Sequence, residues 1–351
     1  MVVLATGASV NLVLEPIFSQ AVWGAGWYNA AEAAHYADNA VRYEGNIDLE
    51  LQMGSGGAFW DFLSKFVVAS RAYPRSLEIS PDGSHVYKYL TTSTYCANYD
   101  TNGAWCRSAN FSTSEGSFIT CSLGIVALNR AESDPAGGAT YSAYSYISKP
   151  PIGVFASSCT NMALTNPLNP GGDNVDPIPY WRSNAQLGHG TYPGPFIPVA
   201  LLPQPGTETV DWSIDIGNND KVLYTCSGSR MPRAVLMGPM SVDGNVTLYH
   251  ANGVFDPLLG PAGTGSLTEP YSTAENTWFQ VAINYGVGTN TYIEIPAALI
   301  AGDDFSIQGA DSVTNRAFTL KGMGGRCNTT TILPPCIISS YAGAMVSPGA
   351  I

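Results

Sequence analysis

The stretch Val242-Asp243-Gly244-Asn245-Val246-Thr247-Leu248-Tyr249 is nearly written once before, as Tyr43-Glu44-Gly45-Asn46-Ile47-Asp48-Leu49-Glu50-Leu51. In each, an acid-Gly-Asn triplet reads as a turn that releases into a strand. The apolar residues of that strand alternate: Ile47, Leu49 and Leu51 in the first, Val246 and Leu248 in the second. A period of two with one polar face marks a half-buried strand, and its repetition points to a duplicated unit.

The surroundings repeat in the same order. Val210-Asp211-Trp212-Ser213-Ile214-Asp215-Ile216 alternates strictly, and 28 residues separate Ile216 from Gly244; Val10-Asn11-Leu12-Val13-Leu14 precedes the first copy, with 31 residues from Leu14 to Gly45. After each copy come an amphipathic segment, a strand pair and a last strand. Gly45 lies 74 residues before Ile119, and Gly244 lies 74 before Phe318, which sets the last strands in register. Leu77-Glu78-Ile79 and Val86-Tyr87-Lys88-Tyr89 match Phe279–Ile283 and Thr291–Ile295 only with compensating insertions.

These features divide the chain into a first repeat (1–130), a Pro/Gly-rich connector or surface decoration (131–206), a second repeat (207–323) and a C-terminal tail (324–351). The expected fold is mainly β: two tandem antiparallel β-sandwich or barrel domains, each with a flanking helix. At 351 residues there is chain enough for two such cores. With 12% charged residues, 37 Gly and 24 Pro, the composition suits a turn-rich β-protein, and no apolar run is long enough for a membrane helix. The amino terminus, Met1–Gly7, lacks the basic and apolar regions of a secretory leader, so synthesis in a cytoplasm is expected.

Fifteen basic against 27 acidic residues give a net charge of −12. Nucleic-acid binding through phosphate neutralisation needs clustered Lys and Arg, so that class is excluded. Seven cysteines with no C-x-x-C spacing read as small buried hydrophobes, with a Cys327–Cys336 bridge as the lesser option.

In chain order, a strand at 9–15 leads into a long aromatic loop, Phe18–Ala40, carrying Trp23, Trp27, Tyr28 and Tyr36. Such aromatics serve either a subunit contact or packing on their own domain. A helix over Phe59–Arg71 places Phe59, Phe62, Leu63, Phe66 and Val67 on one stripe that covers a sheet face. Pro81-Asp82-Gly83 turns a hairpin between 76–80 and 85–90. Ile119, Cys121, Leu123 and Ile125 form one face of the closing strand. The punctuation of residues 131–206 is hostile to long regular elements, and Asp256-Pro257 opens a shorter second helix.

A search for chemistry finds no G-x-S-x-G, no Walker lysine and no H-E-x-x-H. His35, His85, His189 and His250 stand at no ligand spacing, and Asp173-Asn174-Val175-Asp176 lacks the register of a calcium loop. The pairs Asp48/Glu50 and Asp211/Asp215 share a strand face and read as a wetted sheet surface. No catalytic residue, metal site or cofactor is expected, and function is sought in assembly.

The residues resemble the tail tube proteins of long-tailed bacteriophages. The likeness rests on Asp211–Asn219, Pro232-Arg233-Ala234, Gly244–Tyr249, Tyr292–Pro296 and Phe318-Thr319-Leu320 in the second repeat. In the first it rests on Asn29–Glu32, Gly45-Asn46-Ile47 and Glu115-Gly116-Ser117-Phe118. The resemblance implies a small antiparallel β-sandwich with a flanking helix, sheets joined around a ring, and rings stacked into a hollow tube in the virion tail. Phe18–Ala40 and Asn218–Pro239 then correspond to the stacking loop, with Trp23, Trp27, Tyr28, Tyr36, Tyr224 and Arg230 in it. A duplicated chain implies trimeric rings with pseudo-sixfold symmetry. Asp48, Glu50, Asp211, Asp215 and Thr247 would line an acidic lumen through which DNA passes without being held. The implied partners are further copies of the chain and other tail proteins: tape measure, terminator, tip and, in a contractile tail, sheath. No membrane is involved. The alternatives are another virion part (a tail-tip or baseplate ring, or a tandem β-sandwich capsid subunit) and a carbohydrate-binding or carbohydrate-cleaving β-protein, suggested by 19 Tyr and 7 Trp.

Overall fold

The structure, a computed structural model, describes residues 5–19, 35–52, 56–69, 71–75, 77–79, 86–90, 103–133, 177–190, 197–198, 209–226, 230, 232–249, 276–286, 289–306, 315–326 and 332–342. Of these, 73% lie in strands, so the protein is mainly β, as the alternation predicts. The first part holds β1 (Ala5–Ser19), β2 (His35–Glu50) and helix α1 (Gly56–Leu63), which runs on as a π-helical turn, Ser64–Ala69. Then come β3 (Leu77–Ile79), β4 (Val86–Leu90), β5 (Ala104–Ser114), β6 (Thr120–Ala127) and β7 (Asn129–Ser133). A 3-10 turn at Tyr180–Arg182 leads into β8 (Ser183–Gly190) and β9 (Ile197–Pro198). The second part holds β10 (Thr209–Gly217), β11 (Asp220–Leu223), β12 (Ala234–Met237), β13 (Ser241–Tyr249), β14 (Asn276–Gly286), β15 (Thr289–Ser306) and β16 (Asn315–Gly322). Short strands β17 (Gly325–Arg326) and β18 (Ile332–Leu333) precede β19 (Ile337–Ala342).

One antiparallel sheet of 12 strands dominates, in the order β1-β2-β6-β5-β10-β13-β16-β15-β14-β8-β9, with β19 also paired to β15. Strands β3, β4 and β7 form a separate three-stranded sheet. The main sheet curls in its second part until β8 returns to β10: Thr209 Oγ1 donates to the Ala185 carbonyl (2.8 Å) and Trp212 Nε1 to Ser183 Oγ (3.1 Å).

The main apolar core runs under both parts of the sheet, and a smaller cluster of Trp105, Val126, Leu128 and Val235 lies apart from it. Ile47, Leu49, Phe111, Leu123, Ile214, Val246, Phe279, Ile295 and Phe318 belong to the main core together with Phe59, Leu63, Phe66 and Val67 of the helical segment. The predicted stripe is therefore the buried face, with Phe62 packed at its margin and ring-stacked on Phe66. Lys65 and Asp61, one turn apart, pair on the exposed side at 2.7 Å. Segment α1 and its π-helical extension lie against β5 and against β19 from the far end of the chain.

Several expectations need correction. Neither acid-Gly-Asn triplet is a turn: Gly45 lies inside β2 opposite Val10, and Gly244 inside β13 opposite Ile214. Gly45 answers a close approach of backbone, since a Cβ on it would sit 1.6 Å from the Ser9 carbonyl oxygen. The aromatic loop Phe18–Ala40 is shorter than predicted at both ends, because Phe18 pairs with Tyr36 and Ser19 with His35 in a long β1–β2 hairpin. Gly45 faces Ile125 and Gly244 faces Leu320, so the first connection is four residues longer and Ile119 is not the counterpart of Phe318. The flanking strands β3 and β4 pair as expected, but in the small sheet, whereas β14 and β15 belong to the large one; Pro81-Asp82-Gly83 lies outside the described residues.

Within the stretch predicted to be irregular, Ser183–Gly190 pairs along β14, and Ile178 is fully buried, exchanging backbone hydrogen bonds with Leu51 and Ile119. Past Gly324 the chain is not a plain tail, since β19 adds a strand and buries Cys336 and Ile338. Cys336 is a free thiol, pushed up to about 12 by burial, so no Cys327–Cys336 bridge exists. The helix expected at Asp256-Pro257 and the acidic run 173–176 lie outside the described residues.

Candidate functional site

Alternation along β2, β6, β5, β10, β13 and β16 sends apolar side chains to the core and polar ones to the opposite face. Strand pairing then assembles the polar ones into rows. One row reads Asp48, Ser122, Asn110, Asp215, Asp243, Lys321; the next reads Glu50, Thr120, Ser112, Ser213, Asn245, Thr319. A third holds Ser114, Asp211, Thr247, Ala317 and Asp304. Residues from strands more than 150 positions apart thus share one exposed surface. All five residues singled out in the sequence, Asp48, Glu50, Asp211, Asp215 and Thr247, stand on it.

Short polar side chains join the rows. Ser122 Oγ donates to Asp48 Oδ1 (2.6 Å), Asn110 Nδ2 donates to Asp215 Oδ1, Ser112 and Thr120 hydroxyls meet at 3.0 Å, and Asn245 Nδ2 donates to Ser213 Oγ (3.3 Å). In those three rows six carboxylates stand against a single cation, Lys321. Asp215 and Asp243 oppose each other directly, an arrangement that costs stability, and Lys321 beside Asp243 offsets part of it. A face tuned for stability alone would not carry that pair.

Charge is arranged differently at one end of the face. The Arg107 guanidinium bridges Asp220 (Nε to Oδ1, 2.8 Å) and Glu44 (Nη1 to Oε2, 2.9 Å), while Arg42 also bonds Glu44. Arg107 holds the Glu44 carboxyl below the usual carboxylate range, and Asp220 in turn raises Arg107. This network fastens the β11–β12 hairpin, the middle of the predicted stacking segment Asn218–Pro239, onto β2 and β5. Tyr224 accepts a hydrogen bond from Arg42 through its hydroxyl (3.3 Å), and the Arg230 carbonyl accepts one from the Val41 amide (3.1 Å). Leu236 and Tyr224 remain exposed on the hairpin.

The buried Asn218 completes the attachment. Its amide nitrogen donates to the carbonyls of Val67 (3.1 Å) and Cys106 (2.9 Å), and its Oδ1 accepts from Arg71 (3.2 Å). Of the other predicted stacking residues, Tyr36 lies in β2 opposite Phe18, and Trp23, Trp27 and Tyr28 lie outside the described residues.

Sequence reasoning missed strand β5 and with it Asn110, Ser112 and Arg107. Its apolar positions are mostly small, and a bulge between Cys106 and Ser108 flips the alternation midway. Only the run Ala109, Phe111, Thr113 against Asn110 and Ser112 carried a period-two signal. Among the described residues, no cluster of His, Cys, Asp and Glu is disposed to hold a metal ion.

No family model matches the chain, and no curated protein matches it. Among solved structures it is similar to the tail tube of SPP1, determined by solid-state NMR and electron cryo-microscopy. That likeness has 14% identity and a TM-score of 0.28, covering 47% of this chain and 80% of that one. It is also similar to BexL, a di-domain ARO/CYC protein of the BE-7585A biosynthetic pathway, at 9% identity and a TM-score of 0.10 over 85% of each chain. At TM-scores this low, neither likeness identifies a fold or a function. No described helix is long and apolar enough to cross a membrane.

Proposed function

We propose that this chain is a structural virion protein without enzymatic activity, the subunit of a phage tail tube, built as a tandem duplication. It assembles as stacked trimeric, pseudo-hexameric rings around a channel whose wall is the acidic sheet face. The observation that carries the reading is this broad, continuous, exposed surface of Ser, Thr, Asn and carboxylates, facing away from the main core. A wall on which six carboxylates outweigh one lysine repels phosphates and gives them no cluster of cations to settle on, so DNA slides past without being held.

Support for the duplication comes from register. Strands β1-β2-β6-β5 and β10-β13-β16-β15 follow one another in the same order. Val10 faces Gly45 as Ile214 faces Gly244, and the bulge between Ala5 and Gly7 recurs between Thr209 and Asp211. The bulge between Cys106 and Ser108 recurs between Ile300 and Gly302. Bulges re-aim whole strands, so two coincident ones are a stronger sign of common origin than alternation alone.

Negative-stain electron microscopy of the purified chain, with rotational averaging of end-on views, tests the proposal. Hollow tubes with threefold or pseudo-sixfold rings are expected. Dispersed monomers or closed shells would overturn it.

A further inference from the structure

The helical segment winds otherwise than its sequence asks. Phe59, Phe62, Leu63, Phe66 and Val67 recur at the three- and four-residue steps of an α-helix, and no Gly or Pro interrupts residues 58–71. Yet α1 ends at Leu63, and Ser64–Ala69 is π-wound, each of its hydrogen bonds reaching one residue further along the chain. Such turns are rare, and here a contact from outside the helix accompanies it.

That contact is Asn218. In an unbroken α-helix the Val67 carbonyl accepts from the amide four residues on, that of Arg71. Here it accepts from Asn218 Nδ2 at 3.1 Å, and the Arg71 guanidinium donates to Asn218 Oδ1 at 3.2 Å. The same residue forms the base of the β11–β12 hairpin. Its backbone amide donates to the Arg107 carbonyl (2.8 Å) and its Nδ2 also to the Cys106 carbonyl (2.9 Å). Asn219, next to it, has a φ of 45° and bonds Gly238 and Pro239 on the other leg of the hairpin.

We infer that Asn218 is a latch between the two halves of the chain: while Arg107 and Asp220 seat the hairpin, it holds residues 64–69 in the π form, and when the hairpin lifts they rewind as α-helix. As regulation of the segment proposed to stack rings, the latch rests on the tube reading; the coupling of hairpin to helix does not.

Three features give the segment two states. The first is packing. Phe66 and Val67 are buried in the π form, and the α spacing also sets them on the stripe of Phe59 and Leu63, so either winding fills the core. The second is hydrogen bonding, because the Val67 carbonyl is satisfied in both states, by Asn218 in one and by the Arg71 amide in the other. The third is that Asn218 is fully buried and spends its amide on Val67 and Cys106 together, so the hairpin base and the helical turn are released as one unit. Coupling of this kind is reciprocal: what loosens the hairpin loosens the turn, and the converse. The turn also lies against β19, which carries the effect to the far end of the chain.

The test is amide hydrogen exchange on the full chain, read by mass spectrometry at 64–69 and at β11 and β12, with unchanged exchange in β13 and β16 verifying the fold. Asp220→Asn removes the two-point ion pair with Arg107, which lies outside the helical segment. It is expected to speed exchange in the hairpin and at 64–69 together, each by at least about threefold. Lys65→Gly, at an exposed position paired only to Asp61, weakens helical winding and is expected to speed the same two segments. The latch is overturned if either variant loosens its own segment alone, or if Asp220→Asn leaves the hairpin as protected as in the parent. Electron microscopy of the same samples records tubes separately, so a failed latch leaves the tube reading standing and absent tubes leave the coupling to be judged by exchange.

Discussion

The glycines of the repeated triplet differ in what surrounds them, and the difference predicts unequal substitutions. An alanine at Gly45 would put its Cβ 1.6 Å from the Ser9 carbonyl oxygen and 2.7 Å from Val10 Cα, both backbone atoms of β1. Relief requires β1 to retreat by more than about 1 Å, which stretches ladder hydrogen bonds beyond useful length. Two or three such bonds at about 1 kcal/mol each, with residual strain, give a loss of about 3 kcal/mol. At Gly244 the nearest atoms are Ile295 Cδ1 (3.1 Å) and Leu320 Cβ (3.4 Å). The first is the end of a flexible side chain, so Gly244→Ala is expected to change stability by less than about 1 kcal/mol. Calorimetry should show Gly45→Ala melting several degrees lower and Gly244→Ala nearly unchanged. Amide exchange should place the Gly45→Ala damage in β1 and β2, since β1 is an edge strand and can detach while the core persists. Equal shifts for the two variants, or a silent Gly45→Ala, would refute the reasoning.

Removing the Asn218 side chain leaves the Val67 and Cys106 carbonyls without their donor. Asn218→Ala is therefore expected to cost about 2–4 kcal/mol in denaturant unfolding, and a loss below about 1 kcal/mol would show that the attachment contributes little. Glu294, buried with its carboxylate accepting from Gln280 Nε2, has its pKa raised by burial. Its contribution to stability is present below the unfolded carboxyl pKa and lost as pH rises through the higher folded value. Glu294→Gln should then melt higher than the parent at neutral pH and equal to it in mild acid, and an unaltered pH profile would contradict this. Replacing Asp48 and Glu50 by Lys puts two cations on the proposed channel wall. Tubes should still assemble and DNA ejection should slow, and unchanged ejection would argue against a lumenal position.

Much of this was legible residue by residue. Alternation is a local property, so Ile47 and Leu49 could be assigned to the core and Asp48 and Glu50 to water without any partner in view. The same holds for Trp212, Ile214 and Ile216 against Asp211 and Asp215. The helical stripe from Phe59 to Val67 and the acidic balance were readable for the same reason.

What the tertiary structure alone decided are the pairings. Whether Glu44-Gly45-Asn46 turns or runs straight depends on β1 lying alongside it, and whether Ser183–Gly190 is loop or strand depends on β14, far along the chain. Strand β5 was hidden by a bulge and small residues, yet it joins the two halves through β10. The Arg107 network and the Asn218 attachment were invisible for the same cause, their partners lying 63 to 151 positions away. A sequence specifies which way each side chain faces through the local period of the backbone. Which strand becomes its neighbour is settled by how one shared core is buried at least cost, a property of the whole chain.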